Sequence, residues 1–264
     1  MAWDPNTYMK FGAERTRPAA ELLARVPVEA PARVIDLGCG PGNSTELLAQ
    51  RWPDADVTGL DSSPEMIAQA KASGVKAKFA LGDVATWSPD KPFDVVYSNA
   101  TLQWIGDHKH LLPRLIAAVA TDGVFAFQVP CNFGEPSHTL LYELAENGPW
   151  AQTLTNRRDR AAVLKPDAYF DILEPLAKSL DIWETTYTQV LSGEDAVFTW
   201  MSGTGLRPFS NALEGEERET FLAEYKRRLA RAYPVRASGN TLYPFQRLFC
   251  VATRQSAPRP RLPA

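Results

Sequence analysis

The sequence predicts an α/β fold: a doubly wound, mostly parallel, seven-stranded sheet with a helical cap inserted around its last strands. Three observations carry this. Short apolar runs alternate with helix-patterned stretches through the first half of the chain, which implies βαβ crossovers and a parallel sheet. The first of these runs ends in a glycine cluster that opens a helix. After Pro130 the alternation gives way to helices interrupted by two further strand patterns. Crossovers of this kind are right-handed almost without exception, so helices cover both faces of the sheet.

Val34 to Leu37 reads as a buried strand. Asn43 to Trp52 follows as a helix, with Asn43 as N-cap and Glu46 completing a capping-box pattern. Val57 to Leu60 is the second strand; Ser63 then caps a helix whose first position is Pro64. Lys78 to Leu81 and Phe93 to Tyr97 are the third and fourth strands. Asp107 to Ala120 is predicted helical, and Asp122-Gly123 turns the chain into a fifth strand, Val124 to Val129. Helices are predicted over His138 to Asn147, Pro166 to Leu176, Asp195 to Met201 and Glu216 to Tyr233. Leu180 to Leu191 alternates with period two, and Phe245 to Thr253 reads as the last strand. The expected organisation is a single domain. Residues 1–29 form an N-terminal helical segment that closes the site, and 30–130 a ligand-binding core. Residues 131–240 form a cap plus one sheet strand, 241–254 the last strand, and 255–264 a proline-rich disordered tail.

Apolar residues make up 45% of the 264 and charged residues 22%, which excludes a disordered or fibrous chain. No run approaches the ~18 apolar residues of a membrane span, and the N-terminus has no basic-then-apolar signal pattern. A net charge of −3 argues against a general nucleic-acid binder. It also means that an anionic substrate must be met by local arginines. Three cysteines without a C-x-x-C pair, and three histidines without H-E-x-x-H, offer neither a disulfide framework nor a metal site. A reduced, cytoplasmic protein is expected.

The strongest motif is Asp36-Leu37-Gly38-Cys39-Gly40-Pro41-Gly42. Glycines there permit positive φ and close approach of a ligand to the backbone. The spacing is G-x-G-x-G, not the G-x-G-x-x-G of a pyrophosphate loop, which disfavours a nicotinamide dehydrogenase. Asp36 beside the loop would repel a pyrophosphate and attract an ammonium group. Cys39 reads as a small packing residue.

This run resembles motif I of the S-adenosylmethionine-dependent methyltransferases of Rossmann-like fold. Further matches follow in order. Asp61, 23 residues after Gly38, lies where a ribose-binding acid is expected, with Ser62 beside it. Gly82-Asp83-Val84 matches the segment whose acid receives the adenine amino group in that family. Ser98-Asn99-Ala100 matches the segment beside the methionine part, and Trp104 follows it closely enough to shield a sulfonium by a cation–π contact. The resemblance implies S-adenosyl-L-methionine as methyl donor and S-adenosyl-L-homocysteine as product. The alternatives are helix-cap roles for Asp61 and Asp83 and a packed core position for Trp104.

A narrower resemblance spans most of the chain. Trp3 to Tyr8, Arg15-Thr16-Arg17-Pro18, Leu102 to Ile105, Gly203-Thr204-Gly205-Leu206-Arg207-Pro208 and Tyr243 to Phe249 are similar to segments of a family of carboxyl O-methyltransferases that esterify trans-aconitate. It implies a small tricarboxylate acceptor and no nucleic-acid, membrane or protein partner. An ionised carboxylate needs no general base, so the task is positioning. Arginine suits the spare carboxylates because its planar fork matches them bidentately. Arg207 is the leading candidate, with Arg15, Arg17 and Arg247 behind it, and Tyr8 as a residue that seals the pocket. For each arginine, an ordinary surface charge is the competing reading.

Three further readings stay open. One is an O-methyltransferase for another small acid that fits the same clamp. In the second, His138 opens a cap helix, and a phenol or quinol acceptor would need such a base. A protein that holds the cofactor without turnover is the third. His108 and His110 read as exposed polar positions at the start of a helix. Lys226, Arg227, Arg228, Arg231 and Arg236 follow Glu216, Glu217, Glu219 and Glu224, and this charge order reads as a solvated helix that complements its own dipole.

Overall fold

The computed structural model describes residues 16–154, 163–203 and 205–256. Tyr8, Arg15, Thr204 and the proline-rich tail from residue 257 onward therefore lie outside the described residues. Helix α1 spans Arg17–Ala24, and then strands and helices alternate: β1 Arg33–Leu37, α2 Asn43–Arg51, β2 Asp56–Asp61, α3 Pro64–Ala72, β3 Lys78–Leu81. β4 Phe93–Asn99 is followed by a 3₁₀ turn at Leu102–Trp104, α4 His108–Ala117 and β5 Val119–Pro130. Then come α5 Pro136–Asn147, α6 Ala151–Leu154, α7 Pro166–Leu173, β6 Ala177–Ser192, α8 Ala196–Ser202, α9 Arg207–Ser210, α10 Gly215–Ala232 and β7 Asn240–Arg254.

The seven strands form one sheet in the order β3-β2-β1-β4-β5-β7-β6. β1 to β5 pair in parallel, and β7 runs antiparallel to β5. The predicted α/β class and mostly parallel seven-stranded sheet are what the chain forms. Strand order reverses at β1 and β4, and in open sheets ligands bind outside the carboxyl ends of strands at such a switch point.

The chain divides into two compact units. The described residues of Met1–Pro130, Ala161–Glu184 and Arg247–Ala264 form one, and those of Cys131–Arg160 and Thr185–Gln246 form the other. β6 leads the chain into the second unit and β7 brings it back. In the first unit the central strands are buried along their length, including Val95, Val96, Tyr97, Phe125 and Phe127. Helix α1 is tied to this core: Tyr97 Oη donates to the Ala19 carbonyl at 2.7 Å, and Arg51 donates to the carbonyls of Leu23 and Val26. At the far edge, Trp183 stacks on Phe249 with centroids 4.8 Å apart, and the Arg25 guanidinium lies 4.2 Å above Trp183.

In the second unit, α5 contributes Leu141 and Leu144, and α10 contributes Phe221, Tyr225 and Leu229, to one apolar cluster with Trp150, Met201 and Phe209. Spacing of four residues along α10 places Phe221, Tyr225 and Leu229 on one face. Its charges lie elsewhere: Glu224 accepts from Arg227 and Arg228, which hold its carboxyl down to about 2, and Lys226 pairs with Asp195.

Three local expectations are corrected. Asn43 does not cap α2; Gly42 does, at φ +100°, and Asn43 is the first helical residue. The left-handed φ at Gly42, which glycine adopts without strain, starts the helix at Asn43 and takes the cap position from it. The helix predicted to Ala120 ends at Ala117, because Val119 already pairs with Phe93 before the register shifts to Val95 opposite Val124. Finally, His108 is buried, not exposed. Its Nε2 donates to the Leu102 carbonyl at 2.9 Å, which leaves Nδ1 to accept from Tyr169 Oη at 2.8 Å. Tyr169 in turn accepts from the Leu164 N–H at 3.2 Å. His110 is exposed and bonds Asp107.

Candidate active site

The loop after β1 is built on Gly38, Gly40 and Gly42, with φ of +75°, +54° and +100°. At Gly38 close approach also requires glycine, since a Cβ would fall 2.1 Å from the side chain of Thr101. Thr101 Oγ1 donates to the Gly38 carbonyl at 3.1 Å, so the turn after β4 closes directly on this loop. At Gly40 nothing lies within 4 Å of the same position, and the backbone there faces open space. Cys39 is buried, with its thiol pushed up to about 12 by burial and by the nearby Asp36 and Asp61 charges, so it stays a neutral packing group.

Asp36 is fully buried at the end of β1. Its Oδ2 accepts from Ser44 Oγ and Thr45 Oγ1, both at 2.7 Å, so the acid ties the strand before the glycines to the helix after them. Burial raises its pKa to about 6 despite these two bonds. Sequence reasoning missed this bracing role, although Ser44-Thr45 at the start of α2 was its available signal.

Asp61, half-buried at the end of β2, is held on both sides. Oδ2 accepts from the Gly40 N–H and Oδ1 from the Ser63 N–H, each at 2.9 Å. The cap of α3 is Ser63, whose Oγ accepts from Met66 N, so the carboxylate of Asp61 is oriented by the loop and not spent as that helix's cap. Ser62 beside it is exposed. Asp83 is exposed after β3; its Oδ1 accepts from Ala85 N at 2.8 Å, a local turn next to Gly82 and the buried Val84.

At the end of β4, Asn99 is half-buried, and in the turn beyond it Trp104 is 72% exposed. The core-packing alternative for Trp104 is thereby corrected: the 3₁₀ turn buries Leu102 and Gln103 and turns the indole outward. Among the described residues, Asp36 Oδ1, Asn99 Oδ1 and Gln103 Oε1 are buried acceptors with no hydrogen-bond donor. Buried acceptors are rarely left so, and all three belong to the carboxyl ends of β1 and β4 or the turn that follows. A ligand ammonium, which carries only donors, suits such acceptors.

The arginines separate. Arg17 lies on α1 and pairs with Glu21 at 3.0 Å. Arg247 is buried on β7 in the first unit and donates Nη1 to Gln128 Oε1 at 3.0 Å. Arg207 begins α9 in the second unit, exposed, with no ion pair among the described residues. Leu206 and Phe209, both buried, fix the turn that carries it.

His138, in the second unit, is buried between Phe133 and Tyr142, with ring centroids 5.2 and 6.2 Å away. Its Nδ1 lies 3.2 Å from Ser137 Oγ, which also meets Tyr243 Oη at 3.1 Å. Burial lowers its pKa to about 4. Because His138 is neutral in the fold and charged in the unfolded chain below about 6.5, its contribution to stability is lost as pH falls from 6.5 towards 4. Between pH 7 and pH 5 the expected loss is about 2 kcal/mol. Thermal melts at the two pH values should show a smaller drop for His138→Gln than for the parent; equal drops would mean that another group carries the effect.

The fold and this loop define a methyltransferase: a family model described as a methyltransferase domain matches residues 11–207. A solved structure of phosphoethanolamine N-methyltransferase 2 from Haemonchus contortus, in complex with S-adenosyl-L-methionine, shares the fold, with a TM-score of 0.53 at 14% identity over 95% of this chain and 57% of that one. Much closer in sequence are trans-aconitate 2-methyltransferases. That of Methylobacterium radiotolerans is 49% identical over 96% of this chain and 99% of its own length, and that of Variovorax paradoxus 48% over the same shares. The chain belongs to the trans-aconitate 2-methyltransferase family.

Proposed function

We infer that this protein transfers the methyl group of S-adenosyl-L-methionine to one carboxylate of trans-aconitate, forming a monomethyl ester and S-adenosyl-L-homocysteine. The observation that carries this is family membership along nearly the whole chain, at 49% identity to a named relative. The glycine loop, the braced Asp61 and the three buried acceptors support a donor of that kind. The partners required are two small molecules.

Bound S-adenosyl-L-methionine would supply an electrophilic methyl on its sulfonium. Asp61 would take the ribose hydroxyls with the lone pairs not used by Gly40 and Ser63. Asp83 would receive the adenine amino group, and Asp36, Asn99 and Gln103 would take the ammonium. Trp104 would present its π face to the sulfonium, a contact of ~0.5–2 kcal/mol. The acceptor carboxylate, with a pKa near 4, is ionised at neutral pH, so no residue has to remove a proton. The chain must instead hold it in line at roughly 3–3.5 Å and bind the spare carboxylates.

The phenol reading fares worse. A histidine of pKa about 4 taking a proton from a phenol of pKa near 10 works uphill by about 8 kcal/mol. His138 is therefore a poor base for that chemistry.

Labelled methyl transfer to a panel of acids, with a catechol and a quinol as controls, tests the reading. Ester on trans-aconitate far above the rest supports it; label only on the phenols, or cofactor binding with no label anywhere, overturns it. Arg207→Ala should raise the apparent KM for trans-aconitate tenfold or more and leave cofactor affinity intact. A change below twofold would remove Arg207 from the site.

A further inference from the structure

At the carboxyl end of β5, the Gln128 side chain is completely buried. Its amide has two ends, and only one is occupied. Oε1 accepts from Arg247 Nη1 at 3.0 Å. Because a guanidinium can only donate, that bond fixes the sense of the amide: the oxygen faces Arg247 and the NH₂ faces away. The Nε2 so presented has no acceptor among the described residues. A buried donor is rarely left unpaired, so its persistence calls for an acceptor from beyond the described residues.

The register shows where that acceptor would lie. Gln128 stands opposite Phe249, and Arg247 opposite Pro130, two residues along the same strands. Side chains two apart on a strand share a face, so Gln128, Phe249 and Arg247 lie on one side of the sheet, with Trp183 stacked on Phe249 as an aromatic border. On the other neighbouring strand Asn99 is in register with Gln128, yet its own buried Oδ1 is not bonded to Nε2.

We propose that Gln128 is a substrate-binding residue that donates Nε2–H to a spare carboxylate of the acceptor acid, and that Arg247 is the positioning residue that holds the amide in that sense. This rests on the function inferred above, in which two carboxylates of a tricarboxylate need partners beyond the reacting one. The cofactor's own carboxylate is the competing acceptor. Asn99, which would take the cofactor's ammonium, is in register with Gln128 one strand away, so the homocysteine affinity measured below separates that acceptor from the second substrate.

The test uses the full chain with Gln128→Glu and Gln128→Leu. The glutamate keeps the shape and the bond from Arg247 but replaces the donor with a negative acceptor; the leucine removes the donor and fills the space. Steady-state kinetics with trans-aconitate and with a dicarboxylate lacking one carboxylate would be read beside calorimetric affinity for S-adenosyl-L-homocysteine. The expected result is a KM for trans-aconitate raised tenfold or more in both variants, with the homocysteine affinity within twofold of the parent. The parent's preference for the tricarboxylate over the dicarboxylate should also collapse by about the same factor. A KM within twofold of the parent in the folded glutamate variant overturns the proposal, as does a tenfold loss of homocysteine affinity. If the parent itself makes no ester of trans-aconitate, the function inferred above fails and this assignment falls with it. Failure of the assignment alone shows as a fully active parent with indifferent variants.

Discussion

Gly38→Ala is expected to cost about 3 kcal/mol or more of stability and to abolish measurable cofactor binding. Two causes add. The residue sits at φ +75°, a conformation that costs an L-amino acid roughly 1–2 kcal/mol. A Cβ would also meet Cγ2 and Oγ1 of Thr101 at 2.1 Å, far inside contact distance. The clash is with a side chain that bonds the Gly38 carbonyl, so relief by moving Thr101 also opens the closure between the β1 loop and the β4 turn. Gly40→Ala is the control. It shares the positive φ, but nothing lies within 4 Å of the new atom. Its melting temperature should fall by the backbone term alone, while the methyl intrudes where a ligand would approach. Melts and calorimetry with S-adenosyl-L-homocysteine on both variants check this. Equal losses of stability would show that packing against Thr101 is not what demands glycine at 38. Partial rescue of Gly38→Ala by Thr101→Gly would show that it is.

Asp61→Ala should weaken S-adenosyl-L-homocysteine by about 100-fold, close to 3 kcal/mol. The carboxylate does two jobs at once. It accepts from the N–H groups of Gly40 and Ser63, which joins the glycine loop to the start of α3, and it offers its remaining lone pairs outward. Bonds to a charged acceptor are worth about 1.5–3 kcal/mol each, so the alanine variant should lose loop order as well as the proposed ligand partner. Asp61→Asn should fall between, near tenfold. An amide can accept at one end only, so one of the two N–H groups then faces another donor. Unchanged affinity in the alanine variant would exclude Asp61 from the cofactor site.

These residues differ in how legible they were. The bend at the glycine loop and the place of Asp61 at a strand end could be read because their signal is local: a strand, a tight spacing, and an acid at the end of the next strand. The same holds for Ser63 and Pro64, whose capping chemistry lies within four residues. His108 was misread because what buries it is Tyr169, 61 residues away, and nothing near His108 announces that partner. Asn43 was misread for a nearer reason. A capping-box pattern was present, but Gly42 at φ +100° takes the cap position and leaves Asn43 as the first helical residue. Gln128 shows the limit most clearly. In the sequence it is one polar residue at the end of an apolar strand. Its meaning comes from Arg247 on an antiparallel strand 119 residues later.

That antiparallel pairing also bears on how the chain is made. β5 is complete at Pro130, but the strand that covers its free side, β7, begins at Asn240. During synthesis from the N-terminus, β1 to β4 can assemble on β5 early, while β5 keeps an unpaired edge carrying Phe125 and Phe127 for more than a hundred further residues. Such an edge is a template for pairing with another chain. The interval of exposure ends only when the last fifteen-residue strand has emerged. Truncation anywhere before Arg247 would make that interval permanent, so C-terminal deletions should yield insoluble chains instead of smaller folded ones.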